Sequence, residues 1–302
     1  MQKKIVLAGG TGFIGKYFQK KFRDLGYEVV VVSRNSCDYV WDDTKGIIEA
    51  LEHSELLINL AGRSVDCRYN ERNKKEIVTS RTETTEILGK ALKACKNPPS
   101  LWINSSTATI YRHAEDRPMT EENGEIGTGF SVEVAKAWER SFFQFDLPET
   151  RQVALRISIV LGESGGVMTP FINLVKYGLG GAQGPGNQKF SWIHIEDLFR
   201  SVLFIQNNKS LSGVFNCASP NPITNRELMS QLRKVMGVRV GLPSPKWLLE
   251  VGAILIRTET ELILKSRWVV PERLQQEGFH FIYPTIESAL TQIWTEKKQK
   301  LT

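Results

Sequence analysis

The chain has few of the residues that staple small proteins or hold metals. Its 302 residues include four cysteines and four histidines. Cys37, Cys67, Cys95 and Cys217 lie far apart with no CxxC pair, which points to reduced thiols in a cytoplasmic protein and away from a disulfide frame or a zinc site. His53, His113, His194 and His280 are equally scattered, so no metal centre is expected. No apolar run reaches the length of about 20 residues needed to span a bilayer. The most apolar long stretch, Trp247 to Ile256, reads as an amphipathic core helix. The N-terminus enters a strand directly, with no signal-peptide pattern. The basic excess, a net +6, suits a phosphate-bearing ligand but is spread along the chain. Lys16, Lys20, Lys21 and Arg23 read as a solvated helix face, and Lys297-Lys298-Gln299-Lys300 as a disordered end. Neither group is interleaved with aromatic residues, which argues against nucleic-acid binding. At 41% hydrophobic and 24% charged, the composition is that of a globular chain able to bury a large core, in one large α/β domain or two modest ones.

What is present is concentrated at the start. Lys4-Ile5-Val6-Leu7-Ala8 is an apolar run ending in Gly9-Gly10-Thr11-Gly12-Phe13-Ile14-Gly15, and a helical segment follows from Lys16 to Leu25. Glycines at 9, 12 and 15 permit a tight turn, a close approach to a ligand, and close helix–strand packing. That arrangement aims backbone N–H groups and a helix N-terminus at a pyrophosphate. Gly26 ends the helix and Glu28-Val29-Val30-Val31-Val32-Ser33-Arg34 is the next strand, which completes a dinucleotide-binding unit within about thirty residues. Where an NAD site usually places Asp or Glu against the ribose 2′-hydroxyl, this strand ends in Ser33-Arg34. A hydroxyl and a guanidinium suit a 2′-phosphate that a carboxylate would repel, so NADP(H) is expected over NAD(H). Asp42 and Asp43 follow and are placed no closer than the adenine side.

Strand–helix alternation continues. Glu55 to Asn59-Leu60-Ala61-Gly62 is a buried strand with a small-residue end that can lie against a cofactor. Ile77 to Ala94 is a helix, Leu101 to Ser106 a strand, and Val153 to Leu161 one further strand. The pattern predicts an α/β fold: a doubly wound parallel Rossmann sheet with a smaller C-terminal substrate lobe. Residues 1–162, with 190–219 returning to them, are assigned to the dinucleotide-binding domain, and residues 163–189 and 220–302 to the lobe. Glycines crowd the stretch from Gly165 to Gly186, with a helix over Phe171 to Tyr177, as in loops that cover a site. Thr224 and Glu227 form a capping-box pattern at a helix start. Asp197 is read as the cap of a helix beginning at Leu198.

The order of these motifs resembles extended short-chain dehydrogenases/reductases of the NAD-dependent epimerase/dehydratase type. The resemblance rests on Gly9 through Gly15, Asn59-Leu60-Ala61-Gly62, Ser105-Ser106-Thr107-Ala108-Thr109-Ile110-Tyr111 and Trp192-Ile193-His194-Ile195-Glu196-Asp197, and it covers nearly the whole chain. Within that group the chain is similar to the "epimerase family" subgroup of uncharacterised sugar-nucleotide epimerase-like proteins, through residues 162–188, Pro220 to Asn225 and Val270 to Phe279. The resemblance implies a hydroxyl at the end of the fifth strand, a tyrosine acid/base, and a lysine four residues after it that holds the nicotinamide ribose and lowers the tyrosine pKa. Thr107 falls on the hydroxyl position and Lys136 on the lysine position. The tyrosine position then falls on Val132, which cannot move a proton. Candidates to replace it are Glu133, Tyr111 and Ser131.

Four further residues are candidates for substrate contact: Gln188 and Lys189 after the glycine-rich loop, His194, and Arg267, which can clamp a diphosphate from the lobe. Arg81 reads equally as a phosphate-facing or a surface cation, and Trp102, Trp138, Trp192 and Trp268 as packing. The expected partner is a small-molecule substrate of the nucleotide-sugar class, with no nucleic acid and no membrane, and the reading admits a homodimer. Three functions stay open: an NADP(H)-dependent epimerase-like oxidoreductase, a catalytically degenerate NADP(H)-binding redox sensor, and a reductase of a small carbonyl compound. Converging cations in the lobe would favour the first, a cleft filled by its own side chains the second, and a closed apolar lobe the third.

Overall fold

The computed structural model describes residues 2–35, 37–244 and 265–300; the expected helix at Trp247 to Ile256 lies outside them. In chain order the elements are β1 Lys4–Ala8, α1 Phe13–Asp24, β2 Glu28–Ser33, β3 Tyr39–Val40, α2 Thr44–Leu51, β4 Leu56–Asn59 and α3 Glu71–Ala94. Then come β5 Leu101–Thr107, a single 3-10 turn Ala108–Ile110, α4 Phe130–Phe143, β6 Arg151–Ile157, β7 Ile159–Leu161 and α5 Met168–Lys176. The remainder is β8 Lys189–Phe190, β9 Trp192–His194, α6 Ile195–Asn207, β10 Gly213–Cys217, β11 Ile223–Thr224, α7 Asn225–Met236, α8 Glu272–Gln276 and α9 Ile286–Gln299.

Seven strands form one sheet in the order β10-β6-β5-β4-β1-β2-β3, and every pairing in it is parallel. The order reverses direction at β1, where the chain crosses from one half of the sheet to the other. Open α/β sheets bind ligands beyond the strand ends at such a point. Side chains alternate across a strand, and here both faces are covered. Ile5, Leu7, Val31, Leu56 and Ile58 meet Phe18 and Phe22 of α1 and Leu198, Phe199 and Val202 of α6. Val6, Ala8, Val32 and Leu57 meet Ile47 and Leu51 of α2, Leu88 and Leu92 of α3, and Phe142 of α4. Large apolar side chains of this kind each contribute ~1.5–3 kcal/mol when fully withdrawn from water. A third cluster joins α5, α7 and α9 around Trp192, Leu228 and Leu290.

The single strand expected from Val153 to Leu161 is two. At Ser158 both the backbone N–H and the hydroxyl turn to the carbonyl of Cys217. The chain then leaves the main sheet and β7 pairs with β9 instead. This carries Leu161 into the α5–α7–α9 cluster. In the opposite sense, Leu274 and Phe279, read by sequence as part of the lobe, pack into the main core. Arg273 reaches the carbonyl oxygens of Val214 and Ser212 beside β10. Helix α6 starts earlier than expected: His194 is its cap, accepting from the N–H of Glu196. Asp197 instead accepts the N–H groups of Ile282 and Tyr283, each at 2.8 Å. The capping box of Thr224 and Glu227 opens α7 as expected.

Candidate functional site

The glycine turn is built by close approach. Gly9 has a φ of +74°, and a Cβ there would lie 2.6 Å from Ala61 Cα; a Cβ on Gly15 would lie 2.3 Å from the carbonyl oxygen of Gly10. Gly12 faces open space by comparison, its nearest atom 3.9 Å from a Cβ position. It stands at the N-cap of α1 with no side chain capping the helix and no acidic residue in the first turn. The leading N–H groups, on Phe13 and Ile14, are therefore left without a capping side chain at the positive end of the helix dipole. The Phe13 ring turns the other way, against Gly162 and Gly165 of the glycine-rich loop. That loop thus closes on the turn.

The end of β2 meets the same turn. Ser33 is buried, and its Oγ lies 3.1 Å from Thr11 Oγ1. Arg34 follows on the surface. Neither of the strand's closing residues, Ser33 and Arg34, is a carboxylate; the nearby Asp38 is occupied, accepting the N–H of Val31 at 2.7 Å. Asp43 is occupied as the cap of α2, accepting from Gly46 N–H. At the end of β4, Asn59 donates to Asn104 Oδ1 and Thr85 Oγ1 and accepts the N–H of Ala61. These bonds fix the course of Leu60, Ala61 and Gly62 beside Gly9.

From Gly62 the site continues to Arg81 on α3, whose Cζ would lie 3.0 Å from a Cβ at position 62. Arg81 lines a cavity of about 120 Å³ together with Val65, Tyr69, Thr107, Phe130, Ser131 and Trp138. Thr107 Oγ1 donates to Thr109 Oγ1 at 3.1 Å and accepts the Thr109 N–H. The structure thus puts Thr107, Ser131 and Arg81 on one cavity wall. Neither Val132 nor Lys136 lines it. Val132 is fully buried, packed with Ala108, Tyr111 and Met119. Lys136 is half-exposed and bonded at 3.0 Å to Glu133, one turn back on the same helix face. The reason is helical phase: Ser131, Val134 and Trp138 share the cavity side of α4, and positions 132 and 136, one turn apart, share a different face.

Tyr111 is also accounted for. It is 1% exposed, donates to Asn216 Oδ1 and accepts from Arg156 Nη1, each at 2.9 Å. Burial raises its pKa above the ordinary phenol value, against the pull of Arg156. Arg156 holds Glu139 of α4 with two bonds of 2.8 Å, and Ser106 donates to the same carboxylate at 2.6 Å. This polar bracket fixes α4 to β5 and β6. It joins residues from separate elements, and no local spacing in the sequence announces it.

Among the expected substrate residues, Gln188, Lys189 and Arg267 come together. Gln188 Nε2 donates to the carbonyl of Gln183, and the N–H of Arg267 donates to the carbonyl of Lys189. Lys189 Nζ stands 4.6 Å over the ring of Trp268. Arg267 and Gln188 are both buried, and the side chain of the fully buried Gln183 beside them has no hydrogen-bond partner. His194 is separate from them: its Nε2 pairs with Gln292 Oε1 and its ring stacks on Tyr283. Burial lowers its pKa. The described residues contain no cluster of His, Cys, Asp or Glu able to hold a metal, and no described helix is long and apolar enough to cross a membrane.

A doubly wound parallel sheet with a glycine turn at its crossover, and a hydroxyl at the end of the fifth strand, defines a Rossmann protein of the short-chain dehydrogenase/reductase class. The chain belongs to the NAD dependent epimerase/dehydratase family, whose model matches residues 5–218; a domain of unknown function matches residues 244–293. It is 30% identical to human epimerase family protein SDR39U1, over 96% of this chain and 99% of that one. To YfhF of Bacillus subtilis it is 29% identical, over 97% and 99%. The crystal structure of the human protein (isoform 2) with NADPH superposes with a TM-score of 0.87 at 30% identity, covering 96% of this chain and 98% of that one. MoeE5 in complex with UDP-glucuronic acid and NAD shares the fold, with a TM-score of 0.77 at 19% identity over 99% and 100% of the two chains.

Proposed function

We propose that the chain binds NADP(H) and exchanges a hydride with the alcohol or carbonyl carbon of a nucleoside-diphosphate-sugar-like substrate, as an epimerase-type oxidoreductase. The observation that carries this reading is the junction of the glycine turn with the end of β2. Uncapped N–H groups at the start of α1 face a pyrophosphate position, while the paired hydroxyls of Thr11 and Ser33 stand next to Arg34 with no carboxylate between them. The residues fit a cofactor carrying a 2′-phosphate, and the NADPH bound by the human relative supports the same choice. When bound, that cofactor supplies hydride transfer.

The chain's own residues supply the rest. Thr107 is positioned to donate to a substrate oxygen, with the Ser131 hydroxyl on the same wall. Lys136 and Glu133, engaged with each other on the outer side of α4, are placed against neither cofactor nor substrate in this reading. Lys189 and Arg267, joined through the backbone, would serve with Gln188 as the clamp for a diphosphate. A second reading, reduction of a small carbonyl compound, is favoured by the limited volume and largely apolar wall of the Thr107 cavity. The test is to incubate the purified protein with NADP⁺ or NADPH and a panel of nucleoside-diphosphate sugars, aldehydes and ketones, following nicotinamide absorbance and product epimers. Turnover or thermal stabilisation confined to the nucleotide sugars supports the first reading, and confined to small carbonyls the second. A protein that responds to neither panel would refute both.

A further inference from the structure

The Thr107 cavity contains a cation to which the proposed reaction gives no task. Arg81 projects from α3 and its guanidinium stacks over the indole of Trp138, Cζ 5.0 Å from the ring centre. Nη1 donates to the carbonyl of Ile77 at 2.9 Å, and the backbone at Gly62 closes the far side. Burial pulls the guanidinium down to about 10, with only the Tyr69 phenol opposing it and no carboxylate contributing. It is therefore still charged at neutral pH, and no carboxylate among the described residues pairs with it. Leaving a partly buried charge without a counter-ion is costly, and one carbonyl and a ring face offset only part of that cost. Around it the wall carries the hydroxyls of Thr107, Thr109 and Ser131, and otherwise Val65, Tyr69, Ile77, Phe130 and Val134.

We propose that this cavity recognises a carboxylate on the substrate, held by the Arg81 fork while Thr107 donates to the oxygen on the neighbouring reacting carbon. The inference deepens the reading above and rests on it. A planar carboxylate uses both of its oxygens against a guanidinium. Two kinds of molecule present this chemistry: a small 2-oxo or 2-hydroxy acid, and a nucleotide sugar whose sugar is a uronic acid.

The experiment titrates the NADPH-saturated protein with two matched pairs, oxamate against neutral oxamide and UDP-glucuronate against UDP-glucose, following tryptophan and nicotinamide fluorescence. At least one acid is expected to bind about tenfold or more tightly than its neutral counterpart, and the pair that responds identifies the source of the carboxylate. Arg81→Met, which keeps the apolar stem, is expected to abolish that preference and leave NADPH affinity within about twofold of wild type. Equal binding within both pairs overturns the inference, and does so on the wild-type protein, whatever the variant's stability. Loss of NADPH affinity in Arg81→Met also overturns it, by assigning Arg81 to the cofactor. Failure of the wild type to bind NADPH at all defeats the parent reading, and this one with it.

Discussion

At the residue scale, the decisive contrast lies within two turns of α4. The sequence placed Thr107 by its distance from Tyr111, and Thr107 lines the cavity. Counting back from Lys136 puts the tyrosine position at Val132, and the α4 residues on the cavity wall include Ser131, Val134 and Trp138. Counting from a lysine fixes spacing along a helix but not its rotation, and rotation is set by what the opposite face buries. Here that is Val132 against Tyr111 and Met119. Arg81 was legible only as a cation, since the Trp138 ring it stacks on comes from another helix. The Glu139–Arg156 pair has side chains only 13% and 11% exposed and holds α4 in this rotation. Glu139→Ala strands the Arg156 charge and is expected to cost about 3–5 kcal/mol of stability. Urea denaturation measures it, and a loss below ~1 kcal/mol, the size of a surface pair, would show that the bracket does not hold the helix.

At the scale of elements, the signals that survived were those with a mechanical cause. The turn from Gly9 to Gly15 sits where it was read because no Cβ fits at either end. Gly15→Ala is expected to destabilise by about 1–3 kcal/mol through overpacking and to weaken nucleotide binding in the same titration; an unaltered melting temperature would contradict the packing shown. The capping box at Thr224 was likewise legible, being local. The break at Ser158 was not, because its cause is a carbonyl on β10, far along the chain. The start of α6 was misread because a histidine, not an aspartate, caps it. That cap makes a pH prediction. Burial holds the His194 pKa below its ordinary 6.5, so the folded ring stays neutral where the unfolded one takes up a proton. Its contribution to stability is then fully present above pH 6.5 and falls as pH drops from there toward the folded-state value. His194→Asn keeps a cap acceptor and should remove that part of the slope. Denaturation midpoints of both proteins across about pH 7.5 to 5 measure it, and identical slopes would count against a buried neutral ring.

At the scale of the molecule, the doubly wound parallel sheet was legible from strand–helix alternation alone, because parallel strands buried on both faces read as apolar runs. What alternation could not show is how the C-terminal residues divide. Leu274 and Phe279 return to the main core while Leu290 and Ile293 join α5 and α7, a choice made by tertiary contacts. The backbone bond that joins Arg267 to Lys189 was not legible, since the two residues lie far apart in the chain. Lys189→Ala is expected to weaken nucleoside-diphosphate-sugar binding by about tenfold, the size of one charge-assisted contact, with NADPH affinity unchanged; a parallel loss of both would move that cluster out of the substrate site.

The central claim is that the junction of the first glycine turn with the end of β2 holds a nicotinamide cofactor carrying a 2′-phosphate. The most direct measurement is calorimetric titration of the wild-type protein and Arg34→Ala with NADPH and with NADH. The account predicts tighter NADPH binding by the wild type, and a loss in the variant of about tenfold or more for NADPH with little change for NADH. Equal losses for both nucleotides, or a wild type that prefers NADH, would contradict it.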